Sequence, residues 1–157
     1  PELIKNASNK FGSQCIVCAI DAKKAITKTK KENILHEVQC DKTSQWEVFS
    51  HGGRYPTGID AVKWAKYVEN CGAGELLVTS MDKDGTKSGY DIELTKAISH
   101  LCKIPIIASG GAGKIEHISE VLNCSDAALL ASLLHYKELT ITEIKEFCKK
   151  ENLIIRN

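Results

Sequence analysis

Alternating strand and helix patterns predict an α/β protein built on a parallel sheet. Short apolar runs at 14–21 (QCIVCAID), 76–78 (LLV), 104–107 (IPII) and 126–132 (DAALLAS) each lead into a polar or small-residue loop, and then into apolar residues at helical spacing. Such runs mark strands buried in a sheet whose crossovers are helices. Their ends are Asp21, Thr79, Ser109 and Ser132. The side chains able to do chemistry therefore collect at strand carboxyl ends, where α/β proteins place their sites. With 157 residues and 43% hydrophobic content the chain can bury one sizeable core, so a single domain over 1–157 is expected.

Bulk properties narrow the function classes. A net charge of +1 and a pI near 8.0 give no electrostatic case for nucleic acid or membrane surfaces. No apolar run approaches a membrane span or a signal segment, so a soluble, unexported, cytoplasmic chain is expected. Seven cysteines, an odd number mostly inside apolar patterns, suit reduced thiols. Cys15 and Cys18 have the C-x-x-C spacing. In a strand, positions i and i+3 point to opposite faces, and no second pair follows, so no metal site or cofactor is called for.

The elements follow in order. Leu3, Ile4 and Ala7 predict a helix over 2–10 ending near Gly12, and Pro1 at a helix-initiating position with no Met makes the start look like a cut. After the strand 14–21 come Lys23 and Lys24, the first of five lysines up to Lys31; this lysine loop is either a solvated face or a phosphate contact. ILHEV (34–38) and WEVFS (46–50) then read as a hairpin turning at CDKTSQ, followed by HGGRYPTG. His51-Gly52-Gly53-Arg54 is either a plain turn or a loop able to close over an anion. Apolar positions 59, 61, 62, 65 and 68 predict a helix over 58–71 ended by Gly72. A helix over 91–102 starts from Asp91 as N-cap, another covers 114–122, and the last, 140–150, opens with a capping box of Thr140 and Glu143.

Two stretches carry the chemistry. From Glu75 to Asp91, ELLVTSMDKDGTKSGYD, a buried strand feeds a loop dense in hydroxyl, carboxylate and glycine, which is either a working loop or a long capped turn. Ser109-Gly110-Gly111-Ala112-Gly113 offers unobstructed backbone N–H groups ahead of a helix, a ready phosphate cradle. Asp21, at the rim of a dry interior, is a general acid or base, or else a cap or salt-bridge partner. The sheet is either doubly wound or part of a (β/α)₈ barrel. Small residues ending the third and fourth units favour the barrel, where phosphate sites form after strands 7 and 8, making these units 5 to 8.

QCIVCAIDAKK, WEVFSHGGRYPTGIDAVKWAK, GAGELLVTSMDKDGTKSGYD, IPIIASGGAGKIEH and DAALLAS together resemble the cyclase subunit family of imidazole glycerol phosphate synthase, in the carboxyl-terminal half of its barrel. The resemblance covers nearly the whole chain, and TSMDKDGTKSGYD with ASGGAG is its most specific part. It implies a (βα)₄ half-barrel with a hairpin excursion after the first strand, half of a (β/α)₈ barrel of about 250 residues. It implies the family's reaction in histidine biosynthesis. There a phosphoribulosylformimino aminoimidazole carboxamide ribonucleotide and ammonia give imidazole glycerol phosphate and the aminoimidazole carboxamide ribonucleotide. Ammonia comes from a glutaminase subunit docked at the barrel's amino-terminal face. By the same resemblance Asp21 is one of two catalytic aspartates, the other lying on strand 1 outside this sequence. Thr79 lies at the pocket floor. Asp84, Gly85, Ser109, Gly110, Gly111, Ala131 and Ser132 hold a substrate phosphate, and Glu75 belongs to a charged ammonia gate. A lone half leaves two sheet edges and an apolar inner face, so a missing amino half or a second copy is expected to close it, and the half alone to bind phosphate without turnover. The alternatives are an ammonia-using sugar-amidination paralogue and a non-catalytic phosphate-binding half-barrel.

Overall fold

A computed structural model describes residues 1–25 and 35–156; Lys28, Lys30 and Lys31 of the lysine loop lie outside the described residues. After α1 (Glu2–Phe11) the chain forms β1 (Val17–Lys24), a hairpin of β2 (Trp46–Ser50) and β3 (Tyr55–Asp60), and α2 (Ala61–Asn70). Three further strand–helix units follow: β4 (Glu75–Ser80) with α3 (Ile92–Leu101), β5 (Ile106–Ser109) with α4 (Ile115–Leu122), and β6 (Ala127–Ala128) with α5 (Ser132–His135) and α6 (Ile141–Lys150). The sheet order is β3-β2-β1-β4-β5-β6. β1, β4, β5 and β6 run parallel, while β2 and β3 join antiparallel at the edge beside β1. The α/β architecture and its parallel strands are as the alternating pattern requires.

Because successive side chains of a strand point to opposite faces, the burial pattern defines two unlike surfaces. Ile20 and Ala22 of β1, Leu76 and Val78 of β4 and Ile106 of β5 are buried against Ala61, Ala65 and Val68 of α2 and Leu94 and Ile98 of α3. The other face presents Val17, Ala19 and Asp21, then Glu75, Leu77 and Thr79, then Ile107 and Ser109. Val17 is 51% exposed, Ala19 is exposed, and Leu77 and Ile107 are only half-buried. These strands are apolar on both faces, as in a doubly covered sheet, yet among the described residues only one face is covered.

Several boundaries differ from the sequence reading, each for a reason outside local pattern. β1 starts at Val17, after a 3₁₀ turn that takes Cys15, and runs on through Lys23 and Lys24. The hairpin supplies the extra partners, Lys23 opposite Glu47 and Lys24 opposite Trp46. Within 34–38, the described His36–Val38 forms a 3₁₀ turn rather than a strand. The hairpin instead pairs β2 with β3 and turns at His51–Arg54. There His51, Gly52 and Gly53 all have positive φ, which turns the chain from β2 into β3. Residues 58–60, expected to open a helix, end β3. Asp60 caps α2, its carboxylate accepting the Val62 and Lys63 N–H groups at 2.9 Å. β6 is two residues long rather than 126–132, and Ser132 opens α5 instead of ending a strand. The caps at Asp91 and at the Thr140/Glu143 box form as expected.

Candidate functional site

Parallel register sets Asp21 beside Thr79 and Thr79 beside Ser109, so three polar side chains form one row across β1, β4 and β5. All three are half-buried and lie on the uncovered face near the strands' carboxyl ends. Asp21 is three residues short of its strand's tip, but it stands level with Ser109, the last residue of β5. With strands spaced about 4.8 Å apart, the row spans roughly 10 Å from Asp21 to Ser109. Glu75 lies on the same face at the amino end of β4, about 13 Å from Thr79 at about 3.3 Å per residue. It therefore stands apart from the row.

Beyond Ser109 a small cavity of about 50 Å³ opens among three loops. Asp84, Gly85 and Lys87 come from the loop after β4. Ser109, Gly110, Gly111 and Ala112 come from the loop after β5, and Leu129, Ala131 and Ser132 from the segment after β6. All seven residues expected to hold the phosphate line it. Thr79, expected at the pocket floor, occupies the middle of the polar row.

Hydrogen bonds knit these loops together. The Gly89 N–H donates to the Gly111 carbonyl at 2.8 Å, and the Leu129 N–H to the Ala108 carbonyl at 2.8 Å. The Tyr90 hydroxyl donates to the Leu129 carbonyl at 2.9 Å, and burial pushes the Tyr90 phenol up to about 12, which keeps it a donor. Gly111 sits at φ 105°, and a Cβ there would collide with the Gly89 carbonyl, so the crossing of the first two loops needs glycine. The buried Asp91 accepts from the Ser80 hydroxyl and from the Leu94 N–H, both at 3.0 Å, tying the end of β4 to the start of α3. Lys24 N–H donates to Asp82 at 2.7 Å, which anchors the base of the loop after β4 to β1.

Three contributors escape the residue-by-residue reading. Lys87 lines the cavity and pairs with Glu138. Tyr90 ties the loop after β4 to Leu129 of the cavity wall through its hydroxyl. His117 of α4 accepts the Gly113 N–H on Nδ1 at 3.2 Å, which requires the tautomer with its proton on Nε2. Their signal was present in KSGYD and KIEH, but a lysine and a tyrosine inside a loop motif and a histidine on a helix do not announce their partners.

The arrangement can hold a small anion on backbone N–H groups and present a carboxylate about 10 Å from Ser109 on the cavity wall. Fold and site together define an α/β protein with a glycine-lined cavity and a polar row carrying one carboxylate near the carboxyl ends of its parallel strands. The chain belongs to the histidine biosynthesis protein family, whose model matches residues 1–140. It is 56% identical over 157 residues to the imidazole glycerol phosphate synthase subunit HisF of Endomicrobium trichonymphae, covering 99% of this chain and 54% of that protein. It is 54% identical to the subunit of the same name from Methanocaldococcus jannaschii, covering 99% and 59%, and 52% identical to that of Clostridium botulinum strain 657, covering 99% and 56%. The chain thus spans a little over half the length of the curated relatives it matches.

Proposed function

We propose that the chain is the carboxyl-terminal half of a cyclase subunit of imidazole glycerol phosphate synthase, acting in histidine biosynthesis in the cytoplasm. The observation that carries this reading is the alignment of Asp21, Thr79 and Ser109 in one row leading into the glycine-lined cavity. A phosphorylated substrate anchored in the cavity extends along the row and brings a reacting atom to Asp21, roughly 10 Å from Ser109 on the cavity wall. Asp21 then exchanges a proton with that atom as a general acid or base. Thr79 holds the chain between them through its hydroxyl.

The uncovered apolar face supports the half-barrel part of the proposal. Val17, Ala19, Leu77 and Ile107 gain by leaving water, and a covering layer of matching parallel strands turns this face into a barrel interior. That layer is the amino-terminal half or a second copy of this chain. Ammonia from a glutaminase subunit at the amino-terminal face then passes Glu75 and travels along Leu77 to Thr79 and Asp21. In isolation the chain binds phosphate without turnover, since a single acid–base group faces an open surface.

The test is ammonium-dependent turnover of the phosphoribulosylformimino substrate, measured for this chain alone and after joining it to the amino-terminal half of a relative. Turnover by the joined protein that disappears in Asp21→Asn while phosphate binding persists is the expected result. A joined, folded protein whose activity ignores Asp21→Asn would refute the assignment.

A further inference from the structure

Four contacts fasten the three loops around the cavity. The Gly89–Gly111 hydrogen bond joins the first loop to the second, and the Leu129–Ala108 bond joins the third segment to β5. The first and third are joined by the Tyr90 hydroxyl on the Leu129 carbonyl and, at the rim, by the Lys87–Glu138 ion pair. In that pair the Lys87 ammonium stands 2.5 Å and 2.8 Å from the two carboxylate oxygens of Glu138, which follows α5, 51 residues further on. Lys87 is the cation lining the cavity among the described residues, and its backbone holds the left-handed conformation at φ 58°. That region is uncommon for a non-glycine residue.

A lysine on the wall of an anion site has two available roles. As a ligand its ammonium turns inward, and a neighbouring carboxylate competes with the anion for it. As a fastener its ammonium turns outward to the carboxylate and the anion is left to backbone N–H groups. Both oxygens of Glu138 are engaged, and among the described residues the fastening spans the side of the rim that no backbone–backbone bond crosses. We propose that the Lys87–Glu138 ion pair is a latch that holds the cavity closed around a phosphate, with Lys87 a positioning residue and not a ligand. This rests on reading the cavity as a phosphate site. Both side chains are about two-fifths exposed (44% and 40%), so the latch is weak, and opening it lowers phosphate affinity about twofold to fivefold.

The experiment uses this chain with inorganic phosphate as the probe, titrated calorimetrically, and amide exchange over residues 83–89 without phosphate. The variants are Lys87→Met, Glu138→Gln and the charge-swapped pair Lys87→Glu with Glu138→Lys. A latch requires that both single variants weaken phosphate binding by similar factors and speed exchange at 83–89, and that the swap restores both. Tighter phosphate binding in Glu138→Gln, or a swap that stays as weak as Lys87→Met, would overturn it in favour of a direct ligand. If the unaltered chain binds no phosphate, the phosphate reading fails, and the exchange measurement decides the latch: exchange unchanged in both single variants overturns it, and faster exchange restored by the swap supports it.

Discussion

Replacing Gly111 by alanine should damage the site out of proportion to the methyl group added. At φ 105° an L-residue carries a backbone cost of about 1–3 kcal/mol. Its Cβ would also collide with the Gly89 carbonyl and come within 3.0 Å of the Lys83 Cβ. Moving the Gly89 segment away breaks the hydrogen bond from the Gly89 N–H to the Gly111 carbonyl, costing about 1 kcal/mol. The sum is about 2–4 kcal/mol, a large share of a typical domain's 5–15 kcal/mol. Gly85 lines the same cavity at φ 75°, yet open space surrounds the position of its Cβ, so Gly85→Ala carries only the backbone cost. Urea denaturation of both variants measures the difference: with a slope of about 2 kcal/mol/M, Gly111→Ala should lower the midpoint by roughly 1–2 M and Gly85→Ala by less. Calorimetric titration with phosphate should show binding lost in the first and retained in the second. Equal midpoints for the two variants would refute the claim that the Gly89–Gly111 crossing shapes the cavity.

Other expectations follow from the same contacts. Asp91→Ala removes the cap of α3 and leaves the buried Ser80 hydroxyl without its acceptor, a loss of about 2–4 kcal/mol in denaturant unfolding, whereas Asp91→Asn retains most of that stability. The Thr140 hydroxyl and N–H hold the Glu143 carboxyl below the usual glutamate range. A folded value below the unfolded one stabilises α6 above the unfolded glutamate value. That support is lost as pH falls through the folded value, so amide protection in 141–150 should drop on acidification and drop less in Glu143→Gln. On the uncovered face, Leu77→Glu should abolish any self-association seen by sedimentation while leaving the circular dichroism of the chain unchanged. Unaltered association would remove that face from the proposed interface.

The legible parts of this protein were those written in local chemistry. The capping box at Thr140 and Glu143 and the cap at Asp91 need only residues three positions apart. The parallel strands show as apolar runs because both of their faces are built for burial. Seven of the cavity's residues were named in advance, and family likeness as well as glycine content carried them. The failures were long-range. YPTGID contains a proline and a glycine, which argue against a strand, yet Tyr55–Asp60 is one. Pro56 sits on an edge strand, where a missing N–H is tolerated, and the buried Glu47 carboxylate takes the Gly58 N–H while Thr57 donates to the Val48 carbonyl at 2.6 Å. None of those partners is adjacent in sequence.

What the sequence determined by itself was the alternation of elements, most of the helix ends and the kinds of side chain at strand ends, because these depend on periodicity and on neighbours within one turn. The tertiary structure decided which of those ends meet. Register between β1, β4 and β5 set Asp21, Thr79 and Ser109 in one row, and loop crossings brought Lys87 to Glu138 and Gly89 to Gly111. Such pairings are fixed by the packing of helices on one face of a twisted sheet, and no interval along the chain encodes them.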